Sequence, residues 1–246
     1  MHRVVIKKDI TPEIVQVTMR DEVNKNTFSD DLMRELIATF KEIGKSARYK
    51  VVILTGYDTY FACGGTQQLL LGFTEGRRKF TDVNLYSLAL DCPIPVISAM
   101  QGHGIGGGFV MGLFADFVFL SRESVYTTNF MKYGFTPGMG ATYIVPKKLG
   151  FSIGYEMLLG AKNYRGDELK ERGVQLAVLP RRGLLEHAYS TAKELAEKPR
   201  ISLITLKAHM TAQIRSELPS VVEQELVMHE ETFYRDEVKE RIKALF

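Results

Sequence analysis

Two short segments leave this chain little choice of fold. Tyr49-Lys50-Val51-Val52-Ile53-Leu54-Thr55-Gly56 and Val96-Ile97-Ser98-Ala99-Met100 are almost continuously apolar over the length of a strand. A strand with no polar face is one covered on both sides, as in a sheet flanked by helices. Glycines follow each: Tyr60-Phe61-Ala62-Cys63-Gly64-Gly65-Thr66 after the first, Gly102-His103-Gly104-Ile105-Gly106-Gly107-Gly108-Phe109 after the second. Glycine frees the backbone for positive φ and lets another group approach the amides closely. A helix starting at such a point aims unpaired N–H groups at a ligand and favours negative charge. Two such junctions would bring two amides to one oxygen. The same glycines would equally serve tight helix–sheet packing. A dinucleotide loop fits poorly, because Gly104, Gly106 and Gly107 lie mid-chain and the glycines run on to Gly108.

The remaining pattern agrees with an α/β class. Strands are expected over 2–8 and 14–19, with a turn around Asp9-Ile10-Thr11-Pro12. Ser29 caps a helix that carries Leu32, Leu36, Phe40 and Ile43 at helical spacing. A further helix is expected from Phe80 to Cys92, ended by Pro93 and Pro95, and an apolar one from Gly104 to Ala115. Phe117-Val118-Phe119-Leu120 and Val125-Tyr126-Thr127 read as strands. From residue 141 onward the chain reads as mostly helical, with candidates at 152–161, 165–173, 181–197, 200–216 and 219–245, the last one broken. With no internal repeat or linker in view, residues 1–246 are expected to form one domain, an α/β core to about 180 and C-terminal helices beyond.

Composition excludes several classes. The 246 residues are 45% apolar and 25% charged, the balance of an ordinary globular chain. No run of about 18 apolar residues occurs, so no membrane span is expected. Met1-His2-Arg3-Val4-Val5-Ile6-Lys7-Lys8 reads as a first strand and not as a signal peptide, which points to the cytoplasm. Cys63 and Cys92 have no metal or redox spacing and read as buried thiols. No histidine or carboxylate cluster calls for a metal. The net charge of +3 lies in scattered pairs without interleaved aromatics, so nucleic acid is not expected. An acidic or phosphate-bearing partner is compatible with it.

Phe61-Ala62-Cys63-Gly64-Gly65, then Gly102 through Gly108, then Gly134-Phe135-Thr136-Pro137-Gly138-Met139-Gly140 resemble the three ordered motifs of the enoyl-CoA hydratase/isomerase (crotonase) superfamily. Gly173-Val174-Gln175 through Val178-Leu179-Pro180 resembles a later segment of it. The resemblance implies a crotonase fold of repeated ββα units with a helical C-terminal section that supports a homotrimer or a dimer of trimers. It also implies an oxyanion hole for a thioester carbonyl, formed by the backbone N–H groups of Gly65 and Gly107. Fixed donors of this kind suit any transition state that places charge on that oxygen.

The chain departs from the hydratase pattern at two positions. Val110 and Phe130 stand where hydratases carry their two catalytic glutamates. Adding water to a double bond needs a base and an acid, so hydration is not expected. Losing CO2 next to an enolate-forming system needs no base, and a dry pocket favours it. The stretches 84–92, 129–140 and Glu223-Gln224-Glu225-Leu226-Val227-Met228-His229-Glu230 resemble the decarboxylating members of polyketide β-branching cassettes. That resemblance implies a 3-methylglutaconyl thioester on an acyl carrier protein as substrate, carried on phosphopantetheine with no other cofactor. It makes Lys79 and His229 the catalytic pair. Val222, Leu226, His229 and Phe233 share one helical stripe, and so do Lys79, Val83, Tyr86 and Leu90, with Lys79 at the start of a buried stripe. A lone histidine on such a stripe is also an ordinary core residue. Tyr60, Val110, Phe130 and Tyr133 are expected to line the substrate pocket, Tyr60 at its thioester end and Tyr133 at its acyl end, and His103 to serve its loop. Alternatives are a CoA-thioester decarboxylase or isomerase of the same fold, and a non-catalytic scaffold subunit.

Overall fold

The computed structural model describes residues 3–246. It opens with an antiparallel pair, β1 (Val5–Thr11) and β2 (Ile14–Met19). The strand runs on through Thr11, whose hydroxyl accepts from Ile14 N at 3.1 Å, so the turn is tighter and later than the sequence suggests. The expected start of this strand at His2 lies outside the described residues. Helix α1 (Asp30–Lys45) begins where expected: Ser29 Oγ accepts from Leu32 N at 3.1 Å, and Asp30 and Asp31 sit in the positive first turn. Its Leu32, Leu36, Phe40 and Ile43 are buried.

Three ββα-like units follow. The first is β3 (Val51–Thr55), β4 (Tyr60–Ala62) and α2 (Gln67–Thr74). A 3₁₀ turn (Phe80–Asp82) and a single-turn helix α3 (Leu88–Asp91) lead to the second unit, β5 (Val96–Met100), β6 (His103–Ile105) and α4 (Gly107–Leu113). The third is β7 (Phe117–Ser121), β8 (Val125–Thr127), a 3₁₀ turn (Asn129–Tyr133) and α5 (Ala141–Leu149). The chain ends with α6 (Phe151–Gly160), β9 (Tyr164–Arg165), α7 (Gly166–Glu171), β10 (Ala177–Leu179), α8 (Arg181–Ala196), α9 (Arg200–Met210), α10 (Ala212–Thr232) and α11 (Asp236–Leu245).

The first strands of the units join β1, β2 and β10 in one sheet of order β1-β2-β3-β5-β7-β10. The second strands join β9 in another, β4-β6-β8-β9. This explains the apolar runs. Ile53, Ile97 and Ala99 face Leu184, Ala188 and Ala192 of α8, while Val52, Leu54 and Val96 face the main core on the other side. Among the described residues, no helix is long and apolar enough to cross a membrane.

Four expectations are corrected. The helix expected over 80–92 is only a 3₁₀ turn and α3. Asp82 accepts the Lys79 N–H at 2.7 Å and Asn84 Oδ1 accepts the Ser87 hydroxyl at 2.8 Å, side-chain bonds that favour turns over helix. The helix expected from Gly104 starts at Gly107, because Gly104 and Ile105 pair with β8. The boundary expected between 216 and 219 falls at Thr211, and α10 runs through Pro219 with Leu218 and Val222 buried on either side of it, while the break expected inside the last helix stands between α10 and α11. Two short strands, β9 and β10, interrupt the section read as helical.

Candidate active site

Parallel pairing sets the site. Ala62 pairs with Gly104, and Gly104 with Tyr126, so β4, β6 and β8 end side by side. Gly65 lies three residues past Ala62 and Gly107 three past Gly104, which brings the two junctions together. A Cβ built on Gly64 would lie only 3.5 Å from Gly107 N. Gly106 is at φ +53°, and a Cβ there would stand 2.6 Å from Asn129 Oδ1, so the close approach of the third strand end demands glycine. The first loop is held from behind. Cys63 N–H donates to Asn26 O at 3.0 Å, and the buried Asn26 amide donates to Met19 O (3.0 Å) and Phe61 O (2.9 Å). Among the described residues, neither the Gly65 nor the Gly107 N–H donates to a protein acceptor. Two fixed, unspent donors face one cavity.

That cavity measures about 560 Å³ and receives Gly65, Gly107, Lys79, Phe130 and Tyr133 together. Tyr60 and Val110 do not line it. Tyr60 turns to the opposite side of β4, against Tyr57 and His103, while its neighbour Phe61 is buried. Val110 lies wholly in the packed core. Beside Gly107 the wall is made by Met139 and Phe28, whose atoms would lie 2.6 and 3.1 Å from a Cβ there. Those two residues, together with Asn129 and Phe246, were missed. Asn129 was the one within reach, since it lies two residues past the end of β8, the strand next to the second junction. Cys63 is half-buried and lines the cavity, contrary to the expectation of a fully buried thiol. Burial pushes its pKa up to about 11. His103 serves its loop: Nδ1 accepts from Val125 N at 2.9 Å.

Lys79 stands exposed on the rim and does not open a buried stripe, because the helix that would create the stripe is absent. Its backbone is fixed by Asp82. The arginines before it are engaged, Arg77 by Glu75 and Arg78 by Asp30 at 2.9 Å. Lys79 is therefore the segment's one cation without an ion-pair partner among the described residues.

His229 falls on the inward stripe of α10 and is 6% exposed. Its Nε2 lies 3.0 Å from Thr136 O and 3.1 Å from Pro137 O. Both partners only accept, so Nε2 carries the hydrogen and Nδ1 is left a buried acceptor without a partner among the described residues. Gly138 makes the contact possible, since a Cβ there would lie 2.4 Å from His229 Cε1. Burial pulls the imidazole pKa down to about 4, against the raising effect of the two carbonyls. The structure does not bring His229 to the surface of the large cavity. It borders a second space of about 60 Å³, shared with Lys79, and the Phe80 ring lines both. One turn along the same helix, Glu225 is 1% exposed. It accepts from Gly140 N (2.7 Å), Thr142 N (2.9 Å) and Thr142 Oγ1 (2.6 Å), capping α5 behind the Pro-Gly turn.

A ββα architecture with two convergent glycine amides defines a class, and the comparisons agree. Residues 9–245 match the enoyl-CoA hydratase/isomerase family, to which this chain belongs. Within that family it is 64% identical over 245 residues to the bacillaene synthase decarboxylase PksI of Bacillus subtilis, covering 100% of this chain and 98% of the relative. A solved structure from a dehydratase/decarboxylase enzyme couple involved in polyketide β-branching is 64% identical, with a TM-score of 0.98 and 99% of each chain covered. The decarboxylase domain of CurF from Lyngbya majuscula is 42% identical, with a TM-score of 0.95 and 100% of each covered. A probable enoyl-CoA hydratase of Rhodobacter capsulatus is only 24% identical over 97% of this chain and 93% of its own.

Proposed function

We propose that this protein decarboxylates a 3-methylglutaconyl thioester held on an acyl carrier protein, giving the 3-methylcrotonyl thioester or its β,γ isomer in polyketide β-branching. It is a carboxy-lyase of the crotonase superfamily. The observation that carries the reading is the composition of the cavity of about 560 Å³: two amides unspent and a lysine unpaired among the described residues, with Phe130 where a hydratase needs a carboxylate. The Lys79 ammonium pairs with the substrate's terminal carboxylate and orients the C–CO2 bond. As that bond breaks, its electron pair moves through the conjugated chain to the thioester oxygen, where the Gly65 and Gly107 amides hold the dienolate. Departure of CO2 leaves the ammonium beside the carbanionic carbon, and a proton from Lys79 completes the product. His229, held neutral with its Nε2–H engaged by two carbonyls, supports the Thr136–Gly138 turn and does not supply that proton from this position.

The carrier-bound substrate is favoured over a CoA ester by the kinship, at 64% identity each, with a bacillaene synthase decarboxylase and with a structure from a dehydratase/decarboxylase couple of polyketide β-branching. The chain is read as a homotrimer or dimer of trimers acting in the cytoplasm. The test is to load 3-methylglutaconate on a carrier protein, add the enzyme and follow the intact carrier by mass spectrometry. Loss of the mass of CO2 is expected. A gain of water, or CO2 loss from the CoA ester alone, would replace this reading with one of its alternatives.

A further inference from the structure

Phe80 occupies an unusual place in the site. With Phe73, Arg78 and Lys79, it lines both the oxyanion cavity and the small space beside His229, and of these four it is the one whose ring lies against the imidazole. It stacks on Phe73 with centroids 4.2 Å apart, stands 4.8 Å from the His229 ring and 5.4 Å from Phe233. Two of its aromatic neighbours, Phe73 and Phe233, belong to the packed core, yet Phe80 itself is only half-buried. Its backbone is a three-residue 3₁₀ turn between exposed residues, 75–79 before it and 81–82 after it. A side chain so mounted changes rotamer without disturbing a helix or a strand.

The bare Nδ1 of His229 gives this placement a consequence. A buried acceptor without a partner costs stability, and functional sites are where such costs persist. Taking into account the decarboxylase reading above, on which this step rests, we infer that Phe80 is a movable partition between the oxyanion cavity and His229. The histidine meets the acyl end of a substrate only when this ring turns aside. With the ring in place, the cavity ends short of His229 and offers a distal carboxylate Lys79, beside an Arg78 already engaged by Asp30. With the ring withdrawn, the two spaces join and His229 Nδ1 faces the acyl chain. Phe80 is thus a positioning residue that sets the depth of the acyl pocket.

The test uses a pantetheine analogue with a bromoacetamide in place of the thioester, which enters through the same cavity as the substrate. Attack by a ring nitrogen of His229 forms a C–N bond, expels bromide and releases the imidazole N–H proton to solvent. Cys63, on the near side of the partition, is alkylated in the same way and reports that the reagent has entered. Peptide mass spectrometry then gives the ratio of His229 to Cys63 labelling at one pH. A ring that withdraws in about 0.1–10% of molecules predicts at least a tenfold higher ratio in Phe80→Ala than in the natural chain. Phe80→Trp should lower it. Phe80→Leu keeps the apolar contact with Phe73 and should fall between, so the test survives if the alanine variant folds poorly. An unchanged ratio across the series overturns the partition. A natural enzyme that releases no CO2 from the carrier-bound thioester removes the decarboxylase reading instead, and the labelling ratio still decides the fate of the partition.

Discussion

Lys79 and His229 differ in what their surroundings allow them to carry. The lysine stands exposed at the rim without an ion-pair partner among the described residues, and it is placed to pair with an incoming carboxylate. Lys79→Ala should therefore lower single-turnover decarboxylation about 100-fold or more, with the KM for the carrier-bound thioester changing less. Near-normal turnover in stopped assays would remove Lys79 from the chemistry. The histidine is the reverse case. Its pKa falls from 6.5 to about 4 in the fold, chiefly through burial. Between those values the unfolded chain takes up a proton that the folded chain refuses, so stability is full above pH 6.5 and declines as pH drops toward 4. In urea unfolding at pH 7 and pH 5, His229→Gln should lose less stability between the two pH values than the natural chain. An equal loss would mean that His229 is already protonated in the fold.

The elements that hold these residues were legible to different degrees, and for physical reasons. The parallel strands and their glycine junctions were plain in the sequence, because strands buried on both faces show no alternation and the close approaches admit only glycine. Helix α1 announced itself through Ser29 and its apolar stripe. The segment 79–92 misled, since Lys79, Val83, Tyr86 and Leu90 imitate a helical stripe while Asp82 and Asn84 bend the chain into turns. Tyr60 and Val110 misled differently: position along a motif does not fix which way a side chain faces. The role of Glu225 was hidden because its partners, Gly140 and Thr142, are more than 80 residues away in sequence. Burial pushes its carboxyl pKa up, while the bonds from Thr142 and Gly140 pull the other way. Glu225→Gln keeps the shape but sets an amide NH2 against one of three donors. It should destabilise the protein by about 1–3 kcal/mol, measured by chemical denaturation. No change would mean that α5 needs no cap from α10.

At the scale of the whole molecule, one wall of the cavity backs onto a surface that looks outward. Helix α6 exposes Phe151 (68%), Tyr155 (49%) and Leu159 (70%) along one stripe, with the first two rings 4.2 Å apart. Apolar stripes of that kind are characteristic of subunit contacts. The inner side of α6 packs on the 3₁₀ turn that delivers Phe130 and Tyr133 to the cavity. Tyr133 in turn stacks on Phe135 and on Phe246 at the end of the chain, with centroids 6.0 and 5.8 Å apart. A second copy seated on α6 would thus steady one cavity wall without adding a residue to it. Sedimentation velocity should give three times the 27.8 kDa of one chain, or six times if trimers pair. Phe151→Glu combined with Leu159→Lys should reduce the mass to that of one chain at micromolar concentration. Neither residue lines the cavity, so a parallel fall in kcat would show that association sustains the wall that the acyl chain meets. Full activity in the dissociated chain would separate the assembly from the chemistry and leave the aromatic stack of Tyr133, Phe135 and Phe246 to hold that wall alone.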